Sequence, residues 1–484
     1  MMSHTVKNYV DGEWVESGAS DVFAVHDPAT GELLANCPDS TREDVNTAVR
    51  SARAAFDEWR STPVLVRAQY MHHFKVMVED NFEKVSQIVV REHGKTMDEA
   101  RGEVRRGIES IDFAMSVPVL MRSDGLEDIS SGIDETTVRQ PAGVFAAITP
   151  FNFPFMVPLW FLPTAITCGN TFILKPSPQT PLATEYLFEM LDELDLPEGV
   201  VNLVNGGVPS ATALMEHPDV TGVSFVGSSP VAKIIYETCT RNGKRVQAQG
   251  GAKNYIAVMP DADIEASVKN ILGAAYGCAG QRCLAAAVAV GVGDAYDQLK
   301  DELAKQVAAL KVGYGLDETT QMGTVISDAA VNRIESMIGQ SEGEGAEVVV
   351  DGRDFHVDGY ENGSWVGPTL IADVQRNTVM ATEEVFGPVL SLMQADDFED
   401  AVDIINQSRY GNAASIFTSN GKYAREFKYS VNAGNIGVNI GVAAPSASFP
   451  FGGQKDSFFG DLHGQGMDSI EFYTERKIVI ERWV

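Results

Sequence analysis

From about residue 143 onward, short apolar or β-branched runs alternate with longer stretches whose apolar residues recur at helical spacing. The runs VFAAITP (144–150), TFILKPS (171–177), VVNLVNG (200–206) and VSFVGS (223–228) end in turn-forming residues, as strands do. Between them, TPLATEYLFEMLDEL and PSATALMEH read as helices. Strand–helix–strand repetition implies a parallel sheet covered on both faces. A second set, YIAVM (255–259), LAAAVAVGV (284–292), AEVVV (346–350) and AASIFTS (413–419), alternates with DQLKDELAKQVAALK and FEDAVDIINQS, so a second α/β lobe begins near residues 250–256. Two segments break the pattern. The region around 122–142 is polar and turn-rich and reads as a hairpin or excursion, and the C-terminal IEFYTERKIVIERW alternates like an exposed strand. An unpaired strand edge there would invite a neighbouring subunit.

A chain of 484 residues exceeds what one hydrophobic core supports, so two or three lobes are expected. With 44% hydrophobic and 21% charged residues, the chain is neither disordered nor fibrous. No stretch approaches the roughly 18 apolar residues of a membrane span, and MMSHTVKNYVDGEW lacks the form of a secretory signal, so a cytoplasmic location is expected. Five scattered cysteines argue for reduced thiols over a disulfide framework. Acidic residues outnumber basic ones 67 to 37, a net charge of −30 that would repel nucleic acid and anionic membranes. Charge of this size suggests adaptation to high salt, the alternative being a merely acidic protein.

Candidate chemistry begins at YGCAGQRCLAA. Cys283 stands in a Gly-containing bend before a buried-looking strand, and the neighbouring Arg282 is expected to lower its thiol pKa. Cys278 is expected to lie on the preceding helical run as core filling. Cys-x4-Cys has no second ligand pair and no histidine cluster near it, so no metal site is expected. In ITPFNFPFMVP, Asn152 follows a strand end and is either a turn residue or an amide donor to a developing oxyanion. SFVGSSPVAKIIYE sets Gly-Ser before a helix start with an early Pro, either an ordinary turn or a phosphate-binding helix N-terminus. Lys175 in ILKPSPQTP could reach a ribose or sit in solvent, and Glu384 and Phe386 in EEVFGPV could grip a ribose and a flat ring.

Taken together, N-x-x-D-G-x-W at Asn8 to Trp14, P-F-N-F-P, the K-P-S stretch, F-x-G-S, G-Q-x-C and E-E-x-F-G-P resemble the aldehyde dehydrogenase superfamily over essentially the whole chain. Within it the chain looks most like the CoA-acylating methylmalonate-semialdehyde dehydrogenases, through PFNFPFMVPLWFLPTAITCGNTFILKP, RVQAQGGAKN, GQRCLA and FPFGGQKDSFFGDLHGQGMDSIEFYTERK. The resemblance implies an α/β fold with a Rossmann-type cofactor domain (1–121 and 143–252), an α/β catalytic domain (253–462) and a small β oligomerisation element (122–142 and 463–484). It also implies a homotetramer, a dimer of dimers.

By similarity, Cys283 is the nucleophile and Asn152 the oxyanion donor, and NAD is held by Ile148, Thr149, Phe151, Lys175, Ser177, Gly227, Ser228, Gly251, Glu384 and Phe386. Hydrolytic members carry a Glu in an E-L-G-G-K stretch that activates water. Here the stretch reads Gln249-Gly250-Gly251-Ala252-Lys253, and an amide is no base. The resemblance therefore implies transfer of the acyl group to CoA, with a hydrolytic dehydrogenase releasing a free acid as the alternative. Arg106 and Arg282 match arginines that bind the carboxylate of a semialdehyde substrate, malonate or methylmalonate semialdehyde. Two positions depart from the family pattern. Pro178 replaces a Glu that binds the adenosine ribose, which makes NADP conceivable beside NAD, and Ala232 replaces a Gly of the phosphate-binding helix.

Overall fold

The computed structural model describes residues 4–483; residues 1–3 and 484, at the ends of the divisions implied above, lie outside the described residues. The first lobe is built on an eight-stranded sheet. Its five central strands, Val201–Leu203, Thr171–Lys175, Val144–Ile148, Val220–Val226 and Arg245–Gln249, run parallel in that spatial order. Along the chain this order is third, second, first, fourth, fifth, so the winding reverses between Val144–Ile148 and Val220–Val226. In open parallel sheets a crevice opens at such a reversal, beyond the C-terminal strand ends. Antiparallel strands close both edges: Asn8–Val10 with Glu13–Val15 on one side and Phe458–Gly460 on the other.

The chain leaves this sheet at Gln249 and enters the next at Asn254, across Gly250-Gly251-Ala252-Lys253. The second sheet has seven strands, six of them parallel, with Glu347–Val350 as its antiparallel edge. Residues 125–141 form a hairpin, Gly125–Ser130 with Ile133–Pro141, on which the exposed C-terminal strand Thr474–Arg482 pairs in register from Thr474 opposite Pro141 to Arg482 opposite Ile133. The outer edge of Thr474–Arg482 is free among the described residues.

The first lobe's core is centred on the helix Met156–Thr167, whose every residue is buried. Apolar on all faces, it has no solvent side to present. The amphipathic helix Met97–Met115 crosses it at Gly107, where a Cβ would lie 2.7 Å from Leu159 Cδ1; glycine is what lets the two approach. Its C-terminal carbonyls are capped by a buried guanidinium: Arg67 donates to Thr167 O at 2.9 Å and Cys168 O at 3.4 Å. Asn170 then joins three elements, accepting from the N–H groups of Ala142 and Gly143 and donating to Ala165 O and Tyr473 O. The hairpin, the buried helix and the C-terminal segment are thereby fixed to one another. Among the described residues no helix is long and apolar enough to cross a membrane.

Candidate active site

The helix Ile264–Tyr276 ends before the cysteines. Cys278 is therefore not on the helix, as the apolar run suggested, but in a tight turn with Cys278 at φ 53° and Ala279 at φ 50°. A partner from another element holds this left-handed backbone: Glu99 Oε1 accepts the Cys278 N–H at 2.6 Å. Gly280, at φ +70°, continues the turn, and a Cβ there would lie 1.9 Å from Gly387 O, so no other residue fits. The bend that follows is pinned from several sides. Gln281 Oε1 accepts the Ile326 N–H, and the Cys283 carbonyl accepts from Asn254 Nδ2 at 2.9 Å and Asn412 Nδ2 at 2.8 Å.

Cys283 is partly exposed, whereas the other four cysteines are buried. Its thiol is not lowered as Arg282 alone would have it. Burial of the sulfur pushes it up to about 11, outweighing the pull of Arg282 and of the Cys283 and Leu284 N–H groups, while Glu384 adds to the rise. Burial, reinforced by Glu99, likewise raises Cys278 to about 12.

Asn152 reaches this bend, its Nδ2 donating to Gln281 O at 3.1 Å. Its backbone is anchored by a device that the sequence reading missed. Lys95 Nζ donates to Asn152 O at 2.7 Å and to Glu103 Oε2 at 2.7 Å, and both side chains of this ion pair are fully buried. Glu103 Oε1 accepts the N–H groups of Phe155 and Met156 at the start of the buried helix, where a negative charge is favoured. A signal was available: Glu103 falls in the apolar stripe with Met97, Ala100, Val104 and Ile108, and a carboxylate there must be partnered.

Cys283, Arg106 and Arg282 line one cavity of about 230 Å³, otherwise walled largely by apolar groups such as Phe153, Met156, Trp160, Leu284 and Phe451. Arg106 Nη2 donates to Pro445 O at 2.5 Å and Arg282 Nη1 to Gly273 O at 3.3 Å, so each guanidinium is steadied by a carbonyl and retains further donors. Gly277 makes room for Arg282: a Cβ there would stand 2.3 Å from its Nη1. Two carboxylates also line the cavity, and both are engaged. Glu99 accepts from the Cys278 and Thr96 N–H groups, and Glu103 is held as described.

The candidate cofactor residues gather at the crevice where the first sheet reverses. Ile148 ends one strand; Thr149 follows, with its Oγ1 buried and without a partner among the described residues. Phe151 stacks on His93 at 6.0 Å and meets the edge of Phe386 at 5.8 Å; Phe386 itself has φ 49°, a strained value for so bulky a residue. Gly227 donates to Gln249 O, and Ser228 caps the helix Ser229–Arg241 by backbone alone, with Pro230 in its first turn and Ala232 buried behind. This leaves N–H groups directed at the crevice, the arrangement a pyrophosphate requires. Lys175 is buried and turned onto the carbonyls of Pro176 and Gly206, and burial lowers it to about 8. Ser177 accepts from the Gln179 N–H, next to the half-buried Pro178. Glu384 Oε1 accepts the Ala252 N–H at 2.9 Å, and Oε2 approaches so close that a Cβ on Gly251 would lie 2.4 Å from it. Burial raises Glu384 to about 7 and lowers the neighbouring Lys253 to about 8. An orphaned hydroxyl, an uncapped helix start and a buried carboxylate together fit a dinucleotide.

Gln249 is buried, and neither amide atom has a hydrogen-bond partner among the described residues. It faces Gly464, where a Cβ would lie 2.6 Å from Nε2 and 3.3 Å from the Phe161 ring. Among the described residues no cluster of His, Cys, Asp and Glu could hold a metal ion.

The family model described as the aldehyde dehydrogenase family matches residues 14–479. A malonate-semialdehyde dehydrogenase of Halalkalibacterium halodurans is 46% identical over 478 residues, 99% of this chain and 98% of its own length. Malonate-semialdehyde dehydrogenase 2 of Geobacillus kaustophilus is 46% identical over 480 residues, 99% of each chain. Two crystal structures superpose with a TM-score of 0.98. One, from Sinorhizobium meliloti and described as a methylmalonate-semialdehyde dehydrogenase complexed with NAD, is 42% identical and covers 100% of this chain and 99% of its own. The other, a methylmalonate-semialdehyde dehydrogenase of Oceanimonas doudoroffii, is 43% identical and covers 99% of both chains.

A thiol raised to about 11 has a testable signature. In the cofactor-free protein, the rate of Cys283 alkylation by iodoacetamide, followed by mass spectrometry, should climb about tenfold per pH unit from roughly pH 7 to 9, because only the thiolate reacts. A plateau below about pH 8 would show that Arg282 outweighs burial.

Proposed function

This chain belongs to the aldehyde dehydrogenase family, and on that premise we propose that it oxidises malonate or methylmalonate semialdehyde onto coenzyme A, with NAD as oxidant. The observation that carries the reading is that two guanidinium groups, Arg106 and Arg282, line the same largely apolar cavity as Cys283. A neutral aldehyde needs no such charge, whereas a carboxylate entering a dry cavity must be paired there. The similar proteins named above, malonate- and methylmalonate-semialdehyde dehydrogenases, agree with this substrate class.

With the carboxylate held by the arginines, the aldehyde carbon at the other end of the short molecule meets the Cys283 sulfur. Attack by the Cys283 thiolate, its proton having passed to solvent, gives a thiohemiacetal whose oxyanion receives hydrogen bonds from Asn152 Nδ2 and the Cys283 N–H. NAD would be held by the uncapped helix start at Ser229 and by Glu384, and when bound would supply the hydride acceptor. Cys283 then carries a thioester. Its release by water requires a base, but Gln249 has no useful basicity and Glu99 and Glu103 are already bound to N–H groups. The thiol of coenzyme A needs no such help, since its thiolate is a strong nucleophile. The carboxylate one carbon from the thioester carbonyl leaves as carbon dioxide, which water converts to bicarbonate; the C–C bond pair passes to the thioester as an enolate, which takes a proton from solvent, giving acetyl-CoA or propionyl-CoA. The alternative is hydrolysis to a free acid with NAD or NADP, and it would need a base other than Gln249, Glu99 or Glu103. We also propose a homotetramer: the free edge of Thr474–Arg482 carries exposed Ile478 and Ile480 beside Trp483.

Incubation with malonate semialdehyde and NAD, with and without CoA, should yield acetyl-CoA and a CoA-dependent turnover; free malonate formed without CoA would refute acyl transfer. Arg106→Gln should lower kcat/KM for the semialdehyde about 100-fold, the scale of a truncated buried charge pair, and leave propanal oxidation nearly unchanged; Arg282→Gln should lower the semialdehyde value similarly and the propanal value by less, since it also removes a charge that favours the Cys283 thiolate. Equal losses on both aldehydes would refute the carboxylate site. Light scattering should return four times the 52.3 kDa chain mass; a monomer would refute the assembly.

A further inference from the structure

A second cavity, about 410 Å³ in volume, lies between the turn joining the helices Arg42–Ser61 and Val64–Asp80 and the strand Ile133–Pro141. It shares no lining residue with the Cys283 cavity. Four arginines line it, Arg60, Arg67, Arg122 and Arg139, and no aspartate or glutamate does so among the described residues. In a chain with 67 acidic and 37 basic residues, such a segregation of positive charge runs against the composition.

The charges are poorly compensated. Arg60 lays its guanidinium over the Phe56 ring at 5.4 Å, and neither it nor Arg122 has a carboxylate within ion-pair distance among the described residues. Arg67 directs its N–H groups only at carbonyls, those of Thr62, Thr167 and Cys168 among them. Arg139 Nη2 donates to Glu471 at 2.5 Å, but Glu471 also takes Arg476 at 2.5 Å, so two guanidinium groups share one carboxylate. The Nη1 of Arg139 is buried and has no partner among the described residues. The helix Val64–Asp80 begins on the same wall with no side-chain cap, and among the described residues the Val64 and Leu65 N–H groups have no partner.

Like charges gathered in one concavity repel unless an anion joins them, and guanidinium groups match a tetrahedral oxyanion bidentately. The net charge of −30 disfavours loose anions at this surface, so only specific hydrogen bonding would retain one. We propose that this cavity is a phosphate-binding site in which Arg60, Arg122 and Arg139 close on a dianionic phosphate group, either the free ion or the terminal phosphate of a nucleotide. Arg67 joins the site to the active centre's scaffold, because it caps the end of the buried helix whose start is held by Glu103. Occupancy should therefore stabilise the fold more than it alters turnover.

The test is calorimetric titration of the full chain with inorganic phosphate, and separately with ADP, at constant ionic strength and with NAD in excess so that the cofactor crevice is filled. One saturable phosphate site per chain is expected, together with a rise in the melting temperature. The double variant Arg60→Gln/Arg122→Gln should weaken binding at least tenfold while keeping the turnover and the phosphate-free melting temperature of the parent; Arg241→Gln, an exposed arginine elsewhere, should bind as the parent does. Tighter, variant-sensitive binding of ADP identifies the nucleotide as the source, and its absence identifies the free ion. The absence of saturable binding, or equal affinity in the double variant, would overturn the site. So would a phosphate-silent cavity whose double variant changes the mass in light scattering, since a second copy of the chain would then occupy it.

Discussion

Lys95 and Glu103 form an ion pair with no solvent contact, and much of the candidate site hangs from it. Taking two such charges out of water is costly, and the cost is offset here by near-complete satisfaction. The ammonium serves Glu103 and the Asn152 carbonyl and sits 4.1 Å from the Phe153 ring, and the carboxylate also receives two N–H groups from the start of the buried helix. One pair thus sets the helix Met97–Met115, the helix Met156–Thr167 and the loop between Ile148 and Phe155 in a single register. Glu103 is also part of the wall of the Cys283 cavity, which ties that cavity to the same anchor.

Burial dominates the electrostatics around this anchor. It is the first cause of the raised Cys283 and Glu384 and of the lowered Lys175 and Lys253. Neighbouring opposite charges pull the other way in each case and do not win.

The alternation of strands and helices, the hairpin, the bend at Cys283 and the crevice residues were legible because each rests on local pattern or on a short motif. Asn152 reaches the bend that carries Cys283, its Nδ2 donating to Gln281 O, although 131 positions separate Asn152 from Cys283. What escaped was non-local. The turn at Cys278 depends on Glu99 from another helix, and an apolar run alone reads as a continued helix. The thiol's upward shift depends on burial, a property of tertiary packing, whereas the sequence exposes only the adjacent Arg282. The strand Phe458–Gly460 joins the first sheet from the far end of the chain, which no local pattern announces. Gln249 was legible as a missing base, but its lack of any hydrogen-bond partner and its contact with Gly464 were not.

The dependence of the site on the buried pair is tested most directly by replacing both partners with apolar residues, Lys95→Met with Glu103→Leu, and measuring the first-turnover rate of cofactor reduction. Because neither charge is left alone, the fold should survive, with a melting temperature lowered by the loss of partners for the Phe155 and Met156 N–H groups and the Asn152 carbonyl. The rate should fall about 100-fold, the scale of a lost oxyanion donor, and adding Asn152→Ala should lower it little further, since both changes remove the same interaction. A double variant that folds and reduces cofactor at the parent's rate would contradict the anchoring of Asn152 by this pair.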